Sequence, residues 1–228
     1  MEKLVYLLGR EPDADTQGLR EQLLAETVPL LRAHGARQIT LNIADLDAEV
    51  QDTAPDRIAG PWGSLGAVVA FWLECLDSRG PIEAHLVSLA PGVTGYLVTE
   101  SLPQTFAQDW GEGERRPGVS QFTAHGKPKG LDEASFYHNW QMEHSRLSFD
   151  LHPLRWSYER NAVARQLCGA DTGYRALVLE HFRELRDFTD PARYFGDPAV
   201  VEQMYAELPG FCDVHNMVTG PMSEYRFA

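Results

Sequence analysis

The sequence has few cysteines and none at metal or redox spacing. Cys75, Cys168 and Cys212 are scattered and odd in number. That excludes a disulfide framework and fits a reducing compartment. No apolar run approaches the roughly 18–20 residues that a membrane span requires. The opening segment, MEKLVYLLGREPDAD, has an apolar run too short for a secretion signal and reads as a first strand. A cytoplasmic location is expected. Basic residues are scarce: 20 Lys and Arg stand against 33 Asp and Glu, a formal charge of −13. A phosphate backbone or an anionic membrane would repel such a chain, so neither is an expected partner. GxSxG, P-loop and GxGxxG motifs are missing, which leaves a serine hydrolase, a nucleotide switch and a dinucleotide enzyme without support. No two histidines lie at i, i+4, and no metal site is expected.

What is present is a hydrophobic pattern that repeats. Leu4–Leu8 reads as a strand. Leu19, Leu23, Leu30 and Leu31 follow at helical spacing, and Gly35 stops that helix. Gln38–Ile43 alternates as a strand does, Asp45–Pro61 reads as a loop, and Ala67–Leu73 is a buried strand. Pro81 opens a short helix, and Gly95–Glu100 is a further strand. After the charged, glycine-containing stretch 108–118 the order starts again. Val119–Ala124, a helix capped by Asp132, Leu154–Val163, Tyr174–Glu184, a helical region from Asp190 and Phe211–Thr219 complete it. A shift of 117 positions aligns Leu19 with Phe136, Leu23 with Trp140 and Leu30 with Leu147. The expected fold is α+β: two tandem ferredoxin-like (βαββαβ) domains packed sheet to sheet, an intrachain dimeric α+β barrel with a ligand space between the sheets. Residues 1–107 form the first domain, 108–118 the linker and 119–228 the second. Such a chain can complete its barrel alone, yet an exposed sheet edge could pair two copies into a homodimer.

The stretch FYHNWQMEHSRLSFDLHPLRWSYERNAV concentrates histidine, tryptophan and tyrosine. On a helix at 100° per residue, Phe136, Trp140 and Leu147 face the core. Tyr137 and His144, seven residues apart, border that stripe. On the next strand Trp156, Tyr158 and Arg160 share one face, and Ser157, Glu159 and Asn161 share the other. Glu180 and His181 face opposite ways, and His215 shares a face with Asp213. A packed, satisfied histidine and a tyrosine or asparagine at a strand edge are the plain structural readings of these residues. The functional reading is proton transfer: imidazole takes and gives a proton near neutral pH, and a phenol or amide steadies an enolate oxygen.

Leu131, the helix residues Phe136, Trp140 and His144, the strand residues Tyr158 and Asn161, and the run Tyr194–Pro198 together resemble the EthD family, over about half the chain. The resemblance implies a dimeric α+β barrel and a small cofactor-free enzyme. It expects a lyase, isomerase, dehydratase or cofactor-free monooxygenase acting on an apolar aromatic or polyketide-like metabolite. His144, Tyr158 and Asn161 are then the catalytic candidates, and Tyr137, Trp156, Glu180 and His215 the substrate-binding ones. No cofactor is expected. Thr27 stands where the shift would place a counterpart of His144, so one pocket is expected, in the second half. Two other readings remain: a haem enzyme of the chlorite-dismutase type with a histidine on iron, and a non-catalytic protein that binds a hydrophobic metabolite.

Overall fold

Alternating segments become strands wherever both faces can be buried. The computed structural model describes residues 1–11, 16–45 and 64–228. Its strands are β1 (Glu2–Arg10), β2 (Arg37–Ile43), β3 (Ser64–Leu73), β4 (Val93–Gln104), β5 (Val119–Gly126), β6 (Arg155–Cys168), β7 (Tyr174–Phe182) and β8 (Asp213–Phe227). The helices of the first half are α1 (Thr16–Gln22), α2 (Val28–Ala33) and α3 (Gly80–Leu89). Those of the second are α4 (Glu133–Tyr137), α5 (Ser145–Leu151), α6 (Leu185–Thr189), α7 (Pro191–Tyr194) and α8 (Pro198–Glu207). Asp132 caps α4 by accepting from the Ser135 amide, and Asp197 caps α8 by accepting from that of Ala199. The loop expected over Asp45–Pro61 lies, beyond Asp45, outside the described residues.

Two tandem domains packed sheet to sheet are not what the chain forms. The strands make a single closed antiparallel barrel in the order β1-β3-β2-β8-β5-β7-β6-β4. The reason is edge pairing. β2 pairs with β8, Ile39 opposite Phe227 and Ile43 opposite Ser223, and β4 pairs with β6, Val98 opposite Val163. Each pairing satisfies backbone groups that two separate sheets would leave open. Among the described residues no strand edge is left free for a second copy.

Closure also removes the expected space between sheets. Val5, Leu7, Val68, Phe122, Leu177, Leu179 and Met222 fill the interior. One end of it is ionic. Lys3 Nζ lies 2.5 Å from Glu100 and 2.6 Å from Glu159, and Arg116 Nη1 and Arg226 Nε hold Glu224 at 3.0 and 2.6 Å. Arg116 lies in the stretch 108–118, which runs beside the end of β8, and its guanidinium sits 3.8 Å from the Phe106 ring and 4.5 Å from that of Trp156. Desolvation pulls it down to about 10. His181 is tied in by Ser120 Oγ at Nδ1 (2.7 Å) and by the Pro117 carbonyl at Nε2 (2.8 Å). Nε2 therefore carries the proton, and Nδ1 competes for the Ser120 hydroxyl proton with Glu224 Oε2, which lies 3.0 Å from Ser120 Oγ.

His125 and His181 are both pushed down to about 4, chiefly by desolvation. The unfolded chain binds these protons near pH 6.5 and the folded chain only near pH 4. Their contribution to stability is therefore full above about pH 6.5 and is lost as the pH falls toward 4, on the order of 3 kcal/mol for each. Urea midpoints should drop between pH 7 and pH 4.5, and His181→Gln should shrink the drop. An unchanged drop in that variant would show that His181 does not contribute to it.

Candidate active site

The two halves of the barrel are covered unequally. On the first half the outward strand side chains Leu4, Tyr6, Leu8, Ile39, Leu41, Val69 and Phe71 are fully buried, and Leu97 is partly exposed. Ile82 and Leu86 of α3 help to cover them. On the second half α8 runs beside α5 but buries none of its own side chains. Beneath the helices of this half the outward residues Gln121, Thr123, Glu180, Met217 and Thr219 stay partly exposed, while their inward neighbours Phe122, Ala124 and Val218 are buried. This partly exposed polar strand face beside α8 is taken as the candidate cleft.

His144 stands at this cleft. The helix expected over 132–150 is not α throughout, because His138–His144 is a π-helical segment between α4 and α5. Its wider turns advance each residue by less than 100°, so the faces rotate. Phe136 and Trp140 are buried as expected, but Leu147 is only partly so, and Ser145, Ser148 and Leu151 take the inner face of α5. Tyr137 turns into the core against Phe136 (5.0 Å) and Trp140 (6.4 Å). His144 turns instead to α8, where Nδ1 lies 2.7 Å from Glu207 Oε1, and its ring stacks at 4.4 Å on Phe211. The imidazole is 17% exposed. Nε2 makes no hydrogen bond among the described residues, so with Nδ1–H donated to Glu207 it presents a free lone pair. The first half carries a matching π-helical segment, Leu23–Thr27, whose Thr27 hydroxyl meets His85 Nε2 of α3 at 2.9 Å. There Thr27 is wholly buried and His85 partly exposed.

The floor of the cleft is polar. Tyr194 Oη donates to Gln121 Oε1 at 2.6 Å, and Thr123 and Thr219 share a hydrogen bond of 2.8 Å. Gly196 lets this segment close on α5, since a Cβ there would meet the Asp150 carbonyl at 2.5 Å. Glu180 is paired with Arg155 Nη1 at 2.5 Å. Burial raises its pKa, but Arg155 and His152 outweigh that and hold it below the ordinary carboxylate range. His144 perturbs the ionisation of His125 and of Glu180.

The remaining expected site residues are scattered. Tyr158 is buried beneath the helix, 3.2 Å from Ser145 Oγ and capped by Arg155 at 4.1 Å, and desolvation raises its phenol. Asn161 points into the barrel and donates to Glu159 at 2.9 Å. Trp156 does not share the face of Tyr158, because a bulge between Arg155 and Ser157 breaks the alternation and turns it toward Phe106, Trp110 and His181. His215 is exposed near the start of β8. Of the expected set, His144 and Glu180 lie on the outer side of the second half, His144 beside Glu207 and Glu180 beside Arg155, and Gln121, Thr123, Tyr194 and Thr219 lie on that side too. A groove of about 540 Å³ beside Arg10, Leu19 and Glu26 is lined by no histidine, cysteine or tyrosine among the described residues. Among those residues no group of three His, Cys, Asp or Glu side chains could hold a metal, and no helix is long and apolar enough to cross a membrane.

Of solved structures, an anthrone oxidase-like protein overlies all of this chain and 91% of its own, with a TM-score of 0.60 at 8% identity. A putative monooxygenase from Fusobacterium nucleatum subsp. nucleatum does so over 100% and 92%, with a TM-score of 0.52 at 5% identity. The chain shares its overall fold with these two structures. At these identities the likeness shows the fold alone. No family model matches the chain and no curated protein matches its sequence, so nothing singles out the EthD family.

If the cleft is open, Thr123→Leu should change stability by no more than about 0.5 kcal/mol. Leu41→Phe in the filled first half should cost roughly 1–3 kcal/mol. Urea denaturation compares the two, and a loss at Thr123 as large as that at Leu41 would mean that the second half is packed shut.

Proposed function

We propose that this cleft is the active site of a cofactor-independent enzyme that removes a proton from a carbon of an oxygenated, apolar aromatic or polyketide-like molecule. The observation that carries the reading is the His144–Glu207 pair, partly exposed on the outer side of the second half, where the first half has the buried Thr27. Glu207 holds the tautomer that leaves Nε2 as base and steadies the imidazolium that forms. The C–H bond breaks, its proton goes to Nε2, and its electron pair moves onto a conjugated carbonyl oxygen. The enolate can be reprotonated elsewhere, lose hydroxide, or react with dioxygen. The names borne by the two similar structures favour the last. In that course a methylene carbon gains one oxygen atom as a ketone and the other leaves as water. Phe211 and Met217 supply apolar wall.

A haem fits poorly here. A porphyrin would need a flat slot between the His138–His144 segment and the sheet, and Phe136, Trp140, Tyr158 and Phe211 pack that layer.

Oxidation of anthrone, followed by quinone absorbance and oxygen uptake, tests the reading. His144→Ala should lower kcat roughly 10²–10⁴-fold with an unchanged melting temperature. Full turnover in that variant would remove His144 from the chemistry.

A further inference from the structure

The barrel interior holds a polar side chain that no described residue satisfies. Leu41 and Ile43 of β2 pack in the outer layer and Ala44 in the interior, so alternation turns Asn42 inward. Asn42 is wholly buried, and neither Oδ1 nor Nδ2 makes a hydrogen bond among the described residues. Asn161 and Arg116, which also have an unpaired atom, keep other partners: Asn161 donates to Glu159, and Arg116 donates to Glu224 and Ser157. A buried amide with both ends unmatched destabilises a fold and is rare. Glu224 of β8 stands directly opposite Asn42. The Cβ atoms of such a pair lie about 4.5–5.5 Å apart. Glu224 Oε1 is taken by Arg116 and Arg226, while Oε2 has only Ser120 Oγ at 3.0 Å among the described residues. That hydroxyl has one proton, and His181 Nδ1 competes for it at 2.7 Å, its Nε2–H being held by the Pro117 carbonyl. Three acceptors, Asn42 Oδ1, Glu224 Oε2 and His181 Nδ1, thus meet one hydroxyl proton, beside an amide N–H with nothing to donate to.

We propose that this corner of the barrel is a binding site for ordered water. One molecule accepts from Asn42 Nδ2–H and donates to Glu224 Oε2, and a second donates to Asn42 Oδ1. The Ser120 proton then goes to His181 Nδ1, and every acceptor is served. The ligand is small, because Leu7, Val68 and Met222 fill the interior, with Val68 paired to Asn42 from the other side. It is neutral, because Glu224 is already paired with Arg116 and Arg226 and an ion would add an unmatched charge. Arg226, partly exposed and one alternation along β8 from Glu224, marks the way in from the barrel mouth. Asn42 belongs to the first half of the chain and Glu224 to the second, so the site lies on the seam that closes the ring.

The test combines a crystal structure of the whole chain at atomic resolution with magnetic relaxation dispersion of water in solution. Wild type should show a water within hydrogen-bond distance of both Asn42 Nδ2 and Glu224 Oε2. Asn42→Leu, close in shape but apolar, should lose it, and the count of long-lived buried waters should fall by two. Should that variant not fold, Val68→Ile, which adds a carbon opposite Asn42, takes its place and should also lower the count. Direct contact of Asn42 Nδ2 with Glu224 Oε2 in the wild-type crystal, or no ordered density beside Asn42, would overturn the proposal. Density at metal-ligand rather than hydrogen-bond distances would mark a cation and overturn it likewise. So would an equal water count in wild type and a folded variant.

Discussion

The pairing of β2 with β8 and of β4 with β6 turns the strands into a ring, and a ring has no unpaired edge to cover. Much else follows from that constraint. Inward side chains must fill the centre, which leaves little room there for a ligand. Charges caught inside must be paired, and Lys3, Glu100, Glu159, Arg226, Glu224 and Arg116 are. A chain closed in this way has its room for chemistry on the outside, between sheet and helices.

There the two halves part company. The same device, a π-helical segment whose last residue reaches across to the second helix, occurs in both. In the first half it joins Thr27 to His85; in the second it joins His144, stacked on Phe211, to Glu207. Ile82 and Leu86 bring α3 down onto its strands, and α8 has no buried residue to do the same. The second half keeps an apolar layer of Phe136, Trp140, Val178 and Phe211 but leaves polar strand residues and His144 partly exposed.

The strands were legible because alternation is local, and the buried Phe136 and Trp140 because helical spacing is. Closure was not: the partners of Ile39 and Val98 lie far along the chain, and nothing in the alternation of β2 or β4 says which edge meets which. The face positions after Trp140 went astray because a π-helical segment leaves no mark in a hydrophobic pattern, so Leu147 was assigned a place that Ser148 takes. His144 was visible from spacing and resemblance, but its partner Glu207 comes from another helix. Gln121 and Thr123 did carry a signal. In VSQFTA they alternate with Phe122 and Ala124, and polar residues on a strand face that a helix should cover point to a gap above them.

Because α8 contributes nothing to the core, selection for stability has little hold on its sequence. Apart from Glu207, its residues can drift, lengthen their side chains or change polarity without unfolding the barrel. The wall of the cleft is therefore the part of this protein best placed to acquire a new substrate, while the ring below it stays as it is.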